Sequence, residues 1–236
     1  MSKTLTIKRY LDAANITDID VLAKHPWLSG ITTNPSLVAK AGVENYEAFA
    51  KNLLNAYPWL DISFEVIADD IEGMIEQAHT IQTWGERVWI KVPIVNSQGQ
   101  SMTPVIEQLS KEGMCLNITA IYMPQQVEDA LSALNKNAQA LISVFAGRIA
   151  DLGQDPLPIV RDMRQLIPRG PVQLLWASTR EAFNIIQAQE AGCDIITAPR
   201  LILEKAENFG SKDLLQCSVD TVRAFVRDAQ DSGLSV

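Results

Sequence analysis

The chain has 236 residues, 47% of them hydrophobic and 20% charged, with a formal net charge of −8. This is an ordinary globular composition with material for a large core, and a strongly acidic chain is a poor general binder of nucleic acid or of anionic membranes. An anionic ligand must therefore be met by locally placed Arg or Lys.

No apolar run approaches the length needed to cross a bilayer, and MSKTLTIKRYLDAAN lacks an apolar signal region. Cys115, Cys193 and Cys217 form no CxxC pair and read as reduced residues of a cytoplasmic protein. With His25 and His79 alone, and no Cys/His cluster, a protein-ligated metal site is not expected. GxGxxG and GxxxxGK[ST] are both absent, so the common nucleotide signatures are missing.

In chain order, apolar β-branched runs alternate with amphipathic stretches. The predicted strands are 7–11, 30–32, 61–66, 87–92, 115–119, 140–145, 172–177 and 193–197. The predicted helices are 44–56, 69–84, 101–112, 124–136, 156–167, 179–191 and 199–208, with a further one over 212–231. Asp69, with Glu72 three residues on, is the expected N-cap of the second of these. Pro124 suits a first helical turn, and Pro93 should end the fourth strand because it cannot donate to the ladder. Eight β/α units without a glycine-rich turn favour a closed (β/α)₈ TIM barrel, class α/β, over an open doubly wound sheet. The expected organisation is one domain: a barrel over 1–211 and a C-terminal helix over 212–236, packed on the barrel or on a neighbouring subunit.

Buried parallel strands should be apolar on both faces, so their polar residues carry information. Asp12 closes the first strand, and Thr32, Thr33 and Asn34 follow the second. Glu65 shares a face with Ser63 and Asp61, Asn117 and Thr119 share one with Cys115, and Ser143 and Phe145 share one with Leu141. By the same alternation Ser178 shares a face with Trp176 and Leu174. Arg148 and Arg180 lie just beyond the sixth and seventh strands.

Taken singly, each has a plain explanation. Lys91, in VWIKVPIV, would be a snorkelling edge residue. Asp12 and Asn34 would be turn formers, the serines core fillers and the arginines surface charges. Asp69–Asp70 is better explained by capping than as an acid–base couple, and Asp194 has no evident partner. Co-occurrence at successive strand ends favours a shared site, because those ends converge on one mouth of a barrel. There, desolvation disfavours an ammonium, and a neutral amine attacks a carbonyl to form a Schiff base. Glu65 and Asp12 are proton-transfer candidates, Asn34, Asn117 and Ser143 can bind polyol hydroxyls, and Arg148, Arg180 and Ser178 can bind a phosphate.

The stretches YLDAAN, GITTNPSLVAKAG, FEV, VWIKVP, EGMCLNITAIY, ISVFAGRIADLG and LLWASTREAFNIIQAQEAGCDIITAP resemble the transaldolase family, in order, over most of residues 9–199. The resemblance implies a (β/α)₈ barrel of class I aldolase type, with Lys91 as Schiff-base nucleophile. It implies Asp12 as the acid/base at the hydroxyl, and Glu65 with Thr119 as the pair that activates a water. Asn34, Asn117 and Ser143 match residues holding a dihydroxyacetone unit, with Thr32 counted beside them, while Arg148, Ser178 and Arg180 match the phosphate site. No cofactor or metal is implied; sugar phosphates are the implied substrates, and no nucleic-acid or membrane partner is expected. Homo-oligomers, pentamers or decamers, are implied by resemblance to short relatives.

The family also contains fructose-6-phosphate aldolases, which carry Gln and Tyr where this chain has Glu65 and Phe145. Those two residues favour transfer of the three-carbon unit in the pentose phosphate pathway over its release. A release aldolase and a non-catalytic sugar-phosphate-binding barrel are the alternatives. Val144, Ala146 and Trp176 depart from the family pattern, and the Trp176 ring is expected to narrow the acceptor end.

Overall fold

The computed structural model describes residues 5–234. Eight strands, β1 (Lys8–Asp12), β2 (Leu28–Thr32), β3 (Asp61–Glu65), β4 (Val88–Pro93), β5 (Leu116–Ile121), β6 (Ala140–Val144), β7 (Val172–Trp176) and β8 (Ile195–Ala198), close into one barrel in chain order. Every pairing is parallel, including that of β1 with β8. Helices α1 (Ile16–Leu22), α2 (Pro35–Lys40), α3 (Tyr46–Ala56), α4 (Ile71–Gln82), α5 (Thr103–Lys111), α6 (Pro124–Ala133), α7 (Ala146–Asp151), α8 (Pro156–Leu166), α9 (Asn184–Ala191), α10 (Arg200–Ala206) and α11 (Leu214–Asp231) complete the chain.

Alternation along the strands divides the apolar residues into two cores. Leu11, Ile31, Ile62, Phe64, Ile90, Ile118, Ile142 and Ile196 face outward and meet the helices. Tyr10, Leu141, Leu175, Ala177 and Ile195 form a smaller cluster inside the barrel, against which Trp89 and Phe145 pack. The inner cluster fills the lower barrel, so the interior is packed rather than open. The polar strand-end residues occupy the inward-facing positions above it.

Three short helices, α1, α2 and α7, were not expected from periodicity, because six or seven residues are too few to show a 3.6-residue repeat. Two of them start at asparagines: Asn15 accepts from Thr17 N at 2.8 Å, and Asn34 from Leu37 N at 3.0 Å. The cap of α4 is Asp70, which accepts from Gly73 N at 2.8 Å, not Asp69. Asp69 instead accepts from Ser97 N at 2.8 Å and from its hydroxyl, holding the loop after β4. Asp194 also has partners: its carboxylate accepts from Leu174 N at 2.8 Å and meets Arg164 at 3.2 Å.

The C-terminal α11 is capped by Asp213, which accepts from Gln216 N at 2.7 Å. None of its residues is buried, and Leu215 (74%), Val222 (58%) and Phe225 (67%) are largely exposed.

Candidate active site

Register builds the site. Glu65 on β3 lies opposite Lys91 on β4, which lies opposite Asn117 on β5; Asp12 on β1 lies opposite Thr32 on β2. All are inward-facing positions near the carboxyl ends of their strands, and they line a cavity of about 500 Å³ at that mouth.

Lys91 is 6% exposed. Its Nζ donates to the Thr33 carbonyl at 2.9 Å and meets the Glu65 carboxylate at 2.9 Å. The lysine is therefore one half of a buried ion pair, not a lone desolvated amine. Burial makes each partner dependent on the other, since removal of one strands a charge in a poorly solvated place. The Glu65 backbone is held from behind by Tyr46, whose hydroxyl accepts from Glu65 N at 3.0 Å and whose ring packs edge-on against Phe64 and Trp84.

Asp12 accepts a hydrogen bond from Thr32 Oγ1 at 2.9 Å. Burial pushes its carboxyl above the ordinary range, opposed by the positive Lys91 and by the Thr32 hydroxyl, while Glu65 adds to the rise. A carboxyl so placed is a better proton acceptor than a solvated one.

Beside these groups a hydrogen-bonded row joins residues of three strands. Asn117 Nδ2 donates to Ser63 Oγ at 2.9 Å, and Ser143 Oγ donates to Asn117 Oδ1 at 2.6 Å. All three residues are buried, and the chain fixes the orientation of the Asn117 amide. Ser143 is left as an acceptor for a ligand hydroxyl. Thr119 differs: its hydroxyl is buried and has no hydrogen-bond partner among the described residues. It follows β5 Asn117 into a bulge, where Ala120 adopts φ +60°. An unpaired buried hydroxyl costs about 1–3 kcal/mol, so a group held this way is poised for a ligand or a water.

Two arginines stand at the rim. The Arg148 guanidinium lies 5.0 Å from the centroid of the Phe145 ring, and donates to the Tyr122 hydroxyl at 3.4 Å. Arg180 makes a two-pronged contact with Asp151, Nε to Oδ1 at 3.3 Å and Nη2 to Oδ2 at 2.5 Å. That pairing holds the Asp151 carboxyl below its usual range. Ser178 lines the same cavity and adopts the left-handed region, φ +60°, a conformation that costs about 1–2 kcal/mol in a non-glycine residue. Its carbonyl meets Gly147 so closely that a Cβ there would sit 1.6 Å from the oxygen. The glycine of FAGR therefore allows the β6 and β7 ends to converge.

The twelve residues given a catalytic or binding role from the sequence all line this cavity, whereas Thr33 and Ser63 do not. One of them, Ser178, does not get there by strand alternation. Leu174 and Trp176 belong to the outer core, whereas Leu175 and Ala177 face inward. Ser178 reaches the mouth through its left-handed turn, not through sharing a face with Trp176. The Trp176 ring is fully buried in the outer core, does not line the cavity and does not narrow it. Lys40, Thr179 and Thr197 also line the cavity and were missed. Thr197 had a readable signal, a polar residue ending the last strand in CDIIT; Lys40 had none, since it lies at the end of an unexpected helix.

A closed parallel barrel whose polar side chains and buried lysine gather at the carboxyl mouth defines the class, a (β/α)₈ barrel with its candidate site at the usual end. The solved structure described as "Native KDPGal structure" shares this fold with a TM-score of 0.56 at 14% identity, covering 98% of each chain. The model of the Transaldolase/Fructose-6-phosphate aldolase family matches residues 9–235, and the chain belongs to that family. It is similar to proteins named "Probable transaldolase" from Coprothermobacter proteolyticus (34% identity, 84% of this chain, 88% of the relative) and Exiguobacterium sibiricum (36%, 83% and 87%). The protein of the same name from Nitrosopumilus maritimus is 32% identical, covering 84% of this chain and 86% of the relative.

Proposed function

We propose that this protein is a transaldolase, moving a dihydroxyacetone unit from a ketose phosphate, such as fructose 6-phosphate or sedoheptulose 7-phosphate, to an aldose phosphate. The observation that carries the reading is the buried Lys91, 2.9 Å from Glu65, in a polar cavity rimmed by arginines. Passage of the Lys91 proton to Glu65 frees the amine to attack C2 of the ketose. Loss of water gives the protonated imine. Asp12 takes the proton of the C4 hydroxyl, the C3–C4 electron pair moves into the imine to leave an enamine, and an aldose phosphate departs. The enamine adds to an acceptor aldehyde, and a water activated between Glu65 and Thr119 hydrolyses the new imine. Asn34, Asn117 and Ser143 hold the three-carbon unit, Thr32 steadies Asp12, and Arg148, Ser178 and Arg180 hold the phosphate. No metal or organic cofactor has a part in this scheme, because the imine is the electron sink.

Phe145 supports transfer over release. With no phenol at that position to protonate the enamine, the three-carbon unit stays covalent until an acceptor arrives. Incubation with fructose 6-phosphate and borohydride should add a reduced dihydroxyacetone or hexose adduct at Lys91, located by peptide mapping. Absence of any adduct would turn the reading towards a sugar-phosphate-binding barrel. Steady dihydroxyacetone release without an acceptor would turn it towards an aldolase.

The exposed apolar residues of α11 support a homo-oligomer in which this helix docks on a neighbouring copy.

A further inference from the structure

Thr197 is 3% exposed at the end of β8, and its hydroxyl lies 2.6 Å from that of Thr32 on β2, which is 2% exposed. The Thr32 hydroxyl in turn lies 2.9 Å from Asp12 Oδ1 on β1. Three neighbouring strands thus contribute one link each to a hydrogen-bonded row ending at the carboxyl group. A hydroxyl has a single proton. When Asp12 is ionised, Thr32 gives its proton to Asp12, so Thr197 must give its own to Thr32. The direction of the row is set by the charge at its end. Thr197 is held in place from the far side, since Thr179 Oγ1 donates to its carbonyl at 2.7 Å.

We propose that Thr197 is a positioning residue that acts through Thr32 to stabilise the ionised, proton-accepting form of Asp12. This deepens the transaldolase reading and rests on it. A hydroxyl that accepts a hydrogen bond donates a stronger one, so the second threonine polarises the first. Without Thr197, Thr32 keeps its rotor freedom and donates more weakly, and the carboxylate loses part of its support. Burial raises the Asp12 carboxyl and Thr32 lowers it, so the row opposes the effect of the dry surroundings. The other charged groups facing Asp12 are Lys91 from β4 and Glu65 from β3, with Lys40, Arg148 and Arg180 nearer the rim. Neither threonine hydroxyl is hydrogen-bonded to any of them.

The test is the pH profile of kcat/KM with fructose 6-phosphate and an acceptor aldose phosphate. Thr197→Val keeps the shape and removes the hydroxyl. Its acid limb should move up by roughly half a pH unit to one unit, about a three- to tenfold loss below the limb, with the high-pH plateau and KM little changed. Thr197→Ser should restore the wild-type limb. In a Thr32→Val background, Thr197→Val should move the limb no further, because the link to Asp12 is already cut. Coincident limbs for wild type and Thr197→Val, or equal shifts in both backgrounds, would overturn the proposal. If Thr197→Val does not fold, Thr197→Ala takes its place with the same expected shift. Borohydride trapping at Lys91 is run alongside. An adduct in wild type and in Thr197→Val with an unmoved limb rejects the relay alone, whereas no adduct in wild type rejects the reading beneath it.

Discussion

At the scale of the residue, the proposed chemistry turns on the contact between Lys91 and Glu65. Glu65→Gln keeps the size of the side chain but removes the proton acceptor 2.9 Å from the amine. Imine formation should slow by about 10²-fold, the ordinary worth of a positioned acid–base group, as measured by the rate of the borohydride-trappable adduct. Asp12 sets a pH dependence whose sign follows from its surroundings. Burial, the largest influence, favours the neutral carboxyl, whereas the proposed bond cleavage uses the ionised one. Activity should therefore be lost as pH falls, with an acid limb above the ordinary aspartate value of about 4. A limb at or below that value in the kcat/KM profile would contradict the assignment. Asp151 contacts Arg180 through two nitrogens, so a phosphate bound there as proposed would compete with it. The pair is about half exposed on both sides and worth little to stability. Asp151→Asn should lower KM for a phosphorylated donor by about two- to fivefold, with kcat nearly unchanged; a raised KM would mean that Asp151 aims the arginine.

At the scale of the element, the proposed anion rim depends on how closely β6 and β7 approach beyond their ends. Gly147 and the left-handed Ser178 make that approach, and a methyl group at 147 would lie 1.6 Å from the Ser178 oxygen. Backbone must move to admit it, at about 1–3 kcal/mol by analogy with overpacked cores. Gly147→Ala should lower the denaturation midpoint and raise KM for phosphorylated substrates more than it lowers kcat. Equal loss of both would place the glycine's role elsewhere. The short α2 shows the same economy of placement. Asn34 Oδ1 caps that helix while the residue lines the cavity, so its turn-forming role and its place at the site are compatible.

At the scale of the whole molecule, the barrel and α11 differ in kind. Every strand is buried against helices or against the inner cluster, whereas α11 buries none of its residues. Leu215, Val222 and Phe225 exposed along one helix form the type of apolar surface that marks an interface. Leu215→Glu with Phe225→Glu should reduce the mass measured by light scattering to that of the 26.0 kDa chain, with the far-ultraviolet dichroism of the barrel retained. An unchanged mass would show that α11 does not hold copies together.

Residue order alone suffices for the β/α alternation, the closed barrel and the strand-end positions of Lys91, Glu65, Asp12, Asn117 and Ser143. Strand periodicity is local, and polar residues in buried parallel strands are few enough to stand out. It did not show α1, α2 and α7, which are shorter than the repeat that reveals a helix, nor that Asp70 rather than Asp69 caps α4. Tertiary structure alone decided which groups touch. The Lys91–Glu65 pair, the Thr197–Thr32–Asp12 row and the Asp151–Arg180 contact each join residues from different elements, so barrel closure and register, not spacing along the chain, bring them together. Trp176 and Ser178 were misread for the same reason: one positive φ reverses the face that alternation assigns, and only a folded backbone reveals where such a turn falls.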